Sequence, residues 1–391
     1  SKKNYAVGDI VEIIEKSPFR VERKCSESLR QCGGCQIQEL DYQKQLDVKT
    51  NEVKQVISRI GKLDDVVIHD TLGMEHPFRY RNKAQFPIQK KDNMPVIGFY
   101  KKKSHDLIST DECIIQHEVN DKIIKIIKTY IRAYNVSIYD EKTHKGLLRH
   151  LVTKVGFTTG EVMIVLVANG KKLPYLKENI QGFKTLVVNV NTQKTNVILG
   201  KENIVAYGDG MIRDYIGELV FEISPLSFFQ VNPLQTEVLY NKALEYANLG
   251  ENDTVFDIYC GIGTISLFLA QKAKKVYGIE IVEDAIKDAF GCMEFYKEFN
   301  PVIHLGKCIY VPLRTDVDAE RVLQYLDEAY CSDTGCEDYI YEDVTDDQIE
   351  WLENKFSDVM IEFHERIGLK PTWFEVIDQE EINLKDVKCV R

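Results

Sequence analysis

Apolar and polar positions change period several times along this 391-residue chain. Between 38 and 61, Leu40, Leu46, Val53, Val56, Ile57 and Ile60 recur among Lys and Gln at spacings that line one face of a helix. A second helix is expected over about 120–133. From 78 to 200 the pattern is mostly β. Stretches 149–155 and 162–167 flank a Thr-Thr-Gly turn at 158–160 and predict a hairpin. Stretches 186–190 and 196–199 predict another pair of strands, and 5–14 alternates loosely as one more. Near the end, Thr345 and Gln348 form a capping box ahead of Ile349, Leu352, Phe356, Val359, Met360, Phe363 and Ile367, with Gly368 as a stop. Residues 370–377 predict a closing strand. No internal repeat interrupts this order.

One segment joins both periods. An apolar strand over 255–259 runs into Gly261 and Gly263, a helix over 265–273 follows, and a second strand over 276–279 ends at Glu280. This is a βαβ unit with glycines at its first crossover, where a ligand can lie against the backbone. Glu280 stands 19 residues after Gly261, a spacing that suits an acid gripping ribose hydroxyls. The turn is G-x-G without a third glycine in register. That favours S-adenosylmethionine over a dinucleotide, whose pyrophosphate needs the helix N-terminus. A ligand-free βαβ unit is the plainer alternative.

Charge divides the chain. The formal net charge of −11 argues against a nucleic-acid partner. Residues 291–391, however, hold 24 acids and 10 bases, while the first 290 hold 37 and 40. The acidity therefore sits in the last quarter, and the two parts are read separately. In the first part, Phe78-Arg79-Tyr80-Arg81-Asn82-Lys83 and the 99–105 stretch interleave cations with aromatics. Such stretches suit phosphates and unpaired bases, or else a solvated strand edge.

The ten cysteines cluster too. Cys25, Cys32 and Cys35 share a loop with Gly33 and Gly34, and three thiolates want a fourth, for which Cys113 is the nearest free candidate. Four thiolates suit zinc or an iron–sulfur cluster, and spacing does not choose between them. The glycines let the backbone fold tightly and present amides to an anionic centre.

At these residues a family becomes recognisable. Asp257-Ile-Tyr-Cys-Gly-Ile-Gly-Thr264, Ile279-Glu280-Ile281-Val282 and Ser227-Phe-Phe-Gln-Val-Asn232 resemble the RNA uracil-5-methyltransferases. Cys32-Gly-Gly-Cys35-Gln36, Tyr80-Arg-Asn-Lys-Ala84 and Leu148-Arg-His-Leu151 resemble the branch acting mainly on 23S ribosomal RNA. The resemblance covers residues 1 to about 289. It implies an S-adenosylmethionine site at Gln230, Tyr259, Gly261, Gly263, Thr264 and Glu280. It also implies a [4Fe–4S] cluster on Cys25, Cys32, Cys35 and Cys113, although six residues separate Cys25 from Cys32 where that branch often has five. The expected partner is RNA.

The family's chemistry adds a Cys thiolate to uracil C6, which makes C5 nucleophilic toward the methyl sulfonium, and a base then removes the C5 proton. Its nucleophile lies in a Ser-Cys-Asn-Pro segment after an Asp-Pro-Pro segment. Neither occurs here, and no Pro-Pro occurs anywhere. No catalytic residue is therefore assigned. Impaired catalysis is expected, with a non-catalytic RNA-binding or iron–sulfur module as the alternative. A new nucleophile at Cys292 or Cys308 is a third reading. The tail weakly resembles uncharacterised proteins of phages or mobile elements, as if such an element had replaced the 3′ end of the gene.

The expected architecture is α/β plus a β-rich domain. A remnant of a TRAM barrel occupies 1–14. A central β-rich domain with the iron–sulfur site occupies 15–37 and 68–218. A partial Rossmann-like methyltransferase sheet, taking 38–67 and 219–290, is cut after two strands, which exposes an unpaired edge unless the tail covers it. A small acidic α+β domain occupies 291–391. No apolar run approaches the ~20 residues of a membrane span. The start, Ser1-Lys2-Lys3-Asn4-Tyr5, lacks Met and an export signal. A cytoplasmic monomer is expected, with the tail's own partner left open.

Overall fold

The structure, a computed structural model, describes residues 11–26, 31–176, 180, 182–280, 282–293, 302–310, 315, 317–334, 341, 343–367 and 374–383. Helix α1 (Tyr42–Arg59) begins at Asp41, whose carboxylate caps it by accepting the Lys44 amide at 3.2 Å. It is followed by β1 (Lys83–Lys91), β2 (Met94–Tyr100), β3 (Leu107–Ser109) and α2 (Val119–Ala133). Next come β4 (Leu148–Val155), β5 (Val162–Ala168), β6 (Thr185–Val190) and β7 (Glu202–Tyr207). These seven strands form one sheet in the order β3-β2-β1-β4-β5-β6-β7, antiparallel except for the parallel β5–β6 pair.

Both faces of that sheet are covered, which is why β5 reads Val-Met-Ile-Val-Leu-Val-Ala and is buried throughout. One face receives the apolar stripe of α2, with Ile123, Ile124, Ile127 and Tyr130 against Phe86, Leu151, Ile164 and Leu166. The other receives the hairpin β8 (Ile212–Ile216) and β9 (Leu219–Ile223). Val152, Met163 and Val165 pack there with Ile212, Phe221, Phe268 and Cys292. Each such side chain, fully buried, stabilises the fold by roughly 1.5–3 kcal/mol.

The chain continues into α3 (Pro233–Ala247), β10 (Thr254–Ile258), α4 (Thr264–Ala270), β11 (Lys275–Glu280) and α5 (Glu283–Met293). The expected βαβ unit is present, with β10 and β11 parallel. The acidic quarter supplies β12 (Val302–Tyr310), α6 (Ala319–Thr334), α7 (Asp346–Ile367) and β13 (Phe374–Asn383). Half of the expected capping box forms: the Thr345 amide donates to the Gln348 side chain at 2.9 Å, while the Gln348 amide donates to the Thr345 carbonyl and not to its hydroxyl.

Several expectations change. Strand β12 pairs parallel with β11, and β13 pairs antiparallel with β12. The tail strands thus extend the same sheet, in the order β10-β11-β12-β13, and do not build a separate one. The edge beside β11 is thus covered by the tail, and among the described residues β10 pairs with β11 alone. Residues 196–199 are not a strand. Arg149 donates to the carbonyls of Asn191 and Gln193 at 2.8 Å, and the Asn191 amide donates to Val197 and Ile198 at 2.7 and 2.9 Å. Side chains thereby take the acceptors a ladder would use, and the partner of β6 comes later, as β7. Of the expected strand at 5–14, residues 11–14 are not in strand conformation and the rest lie outside the described residues. The closing strand runs from 374 to 383 in place of 370–377, with 370–373 outside the described residues.

Candidate functional site

The glycine turn follows β10 directly. Gly261 and Gly263 have φ of +58° and +78°, where a side chain is strained, and a Cβ on Gly261 would meet nothing within 4 Å. Tyr259 also sits at positive φ, +127°, uncommon for a bulky residue and found where a site over-determines the backbone. Glu280 closes the turn. One carboxylate oxygen accepts the Gly261 amide at 2.9 Å and the other accepts the Val282 amide at 2.8 Å. The Tyr259 and Cys260 amides both donate to the Ile279 carbonyl at 3.0 Å. The carboxyl ends of β10 and β11 are therefore tied together, and Tyr259 is left 77% exposed above them.

Thr264 opens α4, and its hydroxyl lies 2.8 Å from the Tyr240 hydroxyl of α3. Ser266 donates to the Asp257 carboxylate at 2.5 Å, and burial raises the Asp257 pKa. Gln230 lies on the loop before α3. Its carbonyl accepts from the Asn82 amide group at 2.9 Å, and the Asn82 amide reaches the Val231 carbonyl at 2.9 Å. Four of the expected cofactor residues, Tyr259, Gly261, Gly263 and Glu280, thus converge on one turn. Thr264 follows that turn directly and meets α3 through Tyr240, whereas Gln230, on the loop before α3, contacts Asn82.

Residues without an assigned role hold this arrangement. Lys154, on β4, donates to the carbonyls of Ser224 and Ser227 at 2.6 and 2.7 Å. The hydroxyls of the same two serines donate to Asp288 of α5 at 2.7 and 2.5 Å. Burial pulls the Lys154 pKa down to about 7. The network clamps the loop that carries Gln230 between the seven-stranded sheet and α5. A lysine inside a strand buried on both faces was the available signal for it.

The four cysteines of the expected metal site, Cys25, Cys32, Cys35 and Cys113, line one cavity of about 330 Å³. The Gly33 amide donates to Tyr100 at 2.9 Å and the Gly34 amide to the Cys32 sulfur at 3.3 Å, which stitches the glycine loop to the end of β2. A Cβ on Gly33 would approach the Tyr100 carbonyl to 3.2 Å, a tight contact that the neighbouring backbone would have to relieve by a few tenths of an ångström. Arg79 donates to the Cys113 carbonyl at 3.0 Å and pairs with Asp121 at 2.8 Å, positioning the fourth cysteine. Burial pushes the Cys113 thiol up to about 11 and raises Cys35, with the neighbouring thiols adding to the latter shift. Arg23, Arg81 and Lys83 line the same cavity, and burial lowers the Lys83 pKa. The Arg81 Nε and the Gln116 side-chain oxygen are buried there without a hydrogen-bond partner.

This donor set fits a polynuclear anionic centre: four thiols, three cations and a backbone amide. Among the described residues, however, no group of three or more His, Cys, Asp or Glu side chains is arranged to hold a metal ion. The two observations are compatible for a cluster, whose thiolates surround a multi-atom body and need not converge on a point.

The cations of the 78–83 stretch accordingly turn inward. In the 99–105 stretch, Lys102 and Lys103 remain exposed beside the glycine loop. Cys292 is fully buried in the core, accepts the Glu222 amide at 3.3 Å and has its thiol pushed up to about 12 by burial. This corrects the reading of Cys292 as a nucleophile, because a sealed, protonated thiol cannot attack. The Cys308 side chain lies outside the described residues. No helix of the described residues is long and apolar enough to cross a membrane.

The profile of the family described as tRNA (uracil-5-)-methyltransferase matches residues 41–303, past the expected limit near 289. A Clostridium tetani protein named as an uncharacterized RNA methyltransferase is 55% identical over 294 residues, covering 73% of this chain and 64% of that protein. A similarly named protein of Halalkalibacterium halodurans is 50% identical over 295 residues, covering 74% and 64%. The chain thus spans about 64% of the length of the curated relatives it matches. A solved structure of the Pyrococcus abyssi tRNA (uracil-54, C5)-methyltransferase in complex with S-adenosyl-L-homocysteine superposes with a TM-score of 0.63 at 26% identity, covering 76% of this chain and 68% of that one. With a family profile over most of its length and relatives at half identity, the chain belongs to the tRNA (uracil-5-)-methyltransferase family.

Proposed function

We propose that this chain is the S-adenosylmethionine- and RNA-binding portion of an RNA uracil-5-methyltransferase whose substrate is ribosomal RNA of the 23S type. The observation that carries the proposal is Glu280, locked onto the Gly261 amide at the carboxyl end of β11. This is where an open α/β sheet binds its ligand. Gln230, Tyr259, Gly261, Gly263, Thr264 and Glu280 would hold the cofactor, which supplies an electrophilic methyl group when bound. Glu280 offers fixed acceptors to hydroxyls, and the two glycines leave the backbone open to close approach. Cys25, Cys32, Cys35 and Cys113 would hold a [4Fe–4S] cluster that ties the glycine loop to the Cys113 loop. Its negative charge is matched by Arg23, Arg81 and Lys83. The motifs Cys32-Gly-Gly-Cys35-Gln36 and Leu148-Arg-His-Leu151 support the ribosomal substrate.

Methyl transfer by the chain alone is not expected, because the Ser-Cys-Asn-Pro and Asp-Pro-Pro segments do not occur in it. The remaining assignments belong to the same proposal: a TRAM remnant at 1–14, a central domain at 15–37 and 68–218, a partial methyltransferase domain at 38–67 and 219–290, a mobile-element origin for 291–391, and a cytoplasmic location.

The test uses undermodified ribosomal RNA and labelled S-adenosylmethionine, with protein purified anaerobically. The chain should bind the RNA without methylating it, and should carry iron at about four per chain with a broad visible absorbance. Methylation at uracil C5 would refute the inactivity, and a colourless zinc-loaded protein would refute the cluster.

A further inference from the structure

Asn82 stands directly before β1, where three parts of the molecule meet. It is 4% exposed, so its amide group must find partners within the protein. Its backbone N–H donates to the Val231 carbonyl and its side chain to the Gln230 carbonyl, both at 2.9 Å. Its own carbonyl accepts the Val155 amide of β4 at 2.8 Å. One residue thus holds two consecutive carbonyls of the loop that carries Gln230. The other half of that loop is held at Ser224 and Ser227 by Lys154 and Asp288.

The segment 79–82 is bound along its length to the chain that follows Cys113. The Arg79 and Arg81 amides donate to the carbonyls of Ile114 and Ile115 at 2.7 and 3.0 Å, and the His117 amide donates back to Arg81 at 3.2 Å. The Arg79 guanidinium reaches the carbonyls of Cys113 and Gln116 at 3.0 and 3.4 Å and the Asp121 carboxylate at 2.8 Å. Asp121 in turn accepts the Cys113 amide at 3.2 Å. Arg79 has a φ of +56°, a conformation that a long side chain holds only where its surroundings over-determine it. The placement of 79–82 is therefore set by the Cys113 loop. Arg81 and Val231 both line the four-cysteine cavity. The buried Arg81 Nε has no hydrogen-bond partner, and an anionic centre is the kind of acceptor it lacks.

We propose that Asn82 is a positioning residue for the cofactor, and that through it the occupancy of the four-cysteine cavity sets the placement of the Gln230 loop. With the cavity filled, the Cys113 loop holds 79–82 in register, and Asn82 presents its two donors to Gln230 and Val231. With the cavity emptied, the Cys113 loop loosens, 79–82 loses its lateral bonds, and the two carbonyls lose their donors. The quantity that changes is cofactor affinity; Asn82 has no part in the chemistry. This inference rests on the cofactor and cluster sites proposed above.

The test compares the full chain, purified anaerobically, with the same chain after chelation of its iron, in the wild type, Asn82→Ala and Asn82→Asp. The aspartate keeps the size of the side chain and removes its donor. The readouts are S-adenosylhomocysteine titration and amide exchange across 226–232. In the wild type, iron removal should weaken binding roughly tenfold and speed exchange. Asn82→Ala should keep its iron, because its lost hydrogen bond runs to Gln230. It should bind roughly tenfold more weakly with iron present and lose little more without it. A merely structural role would give two losses that add. Asn82→Asp should behave in the same way, and it carries the comparison if Asn82→Ala loses its circular dichroism. Additive losses would overturn the inference, as would a chain purified without iron. If S-adenosylhomocysteine binds equally with and without iron and loop exchange is unchanged, the cofactor reading stands and the coupling falls. If loop exchange follows the iron in the wild type alone while no form binds S-adenosylhomocysteine, the coupling stands and the cofactor reading falls.

Discussion

Strands β5 and β10 are both apolar and both sit in sheets that are at least partly parallel, yet they end in opposite environments. Every residue of β5 is buried, whereas β10 alternates between half-buried and exposed. The difference lies outside the strands themselves. Strand β5 has neighbours on both sides, α2 on one face and the β8–β9 hairpin on the other. Among the described residues, strand β10 has β11 on one side and a helix on one face. Apolar sequence sets the capacity for burial, and the surrounding elements decide whether it is used.

The largest expected effect breaks this comparison at its centre. Ile164→Ala in β5 removes a fully buried side chain and should destabilise the chain by about 2–5 kcal/mol in denaturant titration. Ile258→Ala in β10 should change it by under about 1 kcal/mol. Equal losses would mean that β10 is covered as well as β5.

The next effect is electrostatic and confined to the seven-stranded sheet. Burial lowers the His150 pKa from 6.5 to about 4, and its Nδ1 is buried without a hydrogen-bond partner. Between those values the unfolded chain holds a proton that the folded chain does not. Stability should therefore fall as the pH drops from 6.5 to 4, by up to about 3 kcal/mol. His150→Gln should flatten that part of the curve, measured as chemical denaturation against pH. An unchanged slope would place the titration elsewhere.

A smaller effect tests the joint between the two sheets. Ser227→Ala removes one of two hydroxyls donated to Asp288 and should cost about 1 kcal/mol. It should also weaken cofactor binding, because the same loop leads into Gln230. A stability loss with unchanged affinity would make the clamp purely structural.

The two sheets also differed in how much of them could be read from sequence. The hairpin of β4 and β5, the α2 stripe and the βαβ unit were legible because each is written in local periodicity and turn chemistry. The true partner of β6 was not, because Arg149 and Asn191 take the carbonyls of 191–198 through contacts more than forty residues apart for Arg149. The addition of β12 and β13 to the methyltransferase sheet was hidden for a related reason: pairing between distant strands leaves no local signature. At the site, Gly261, Gly263 and Glu280 were legible from their spacing. Lys154 and Asp288 were not, since each acquires its role only when the two sheets meet across the Ser224–Ser227 loop.

The central claim is that Glu280 and the glycine turn form a cofactor site. Isothermal titration of S-adenosylhomocysteine into the full chain tests it most directly, with Glu280→Ala as the comparison. The account predicts saturable binding to the chain and a loss of roughly tenfold or more in the variant, with its fold retained by circular dichroism. No saturable binding to the chain, or equal affinity in both proteins, would contradict it.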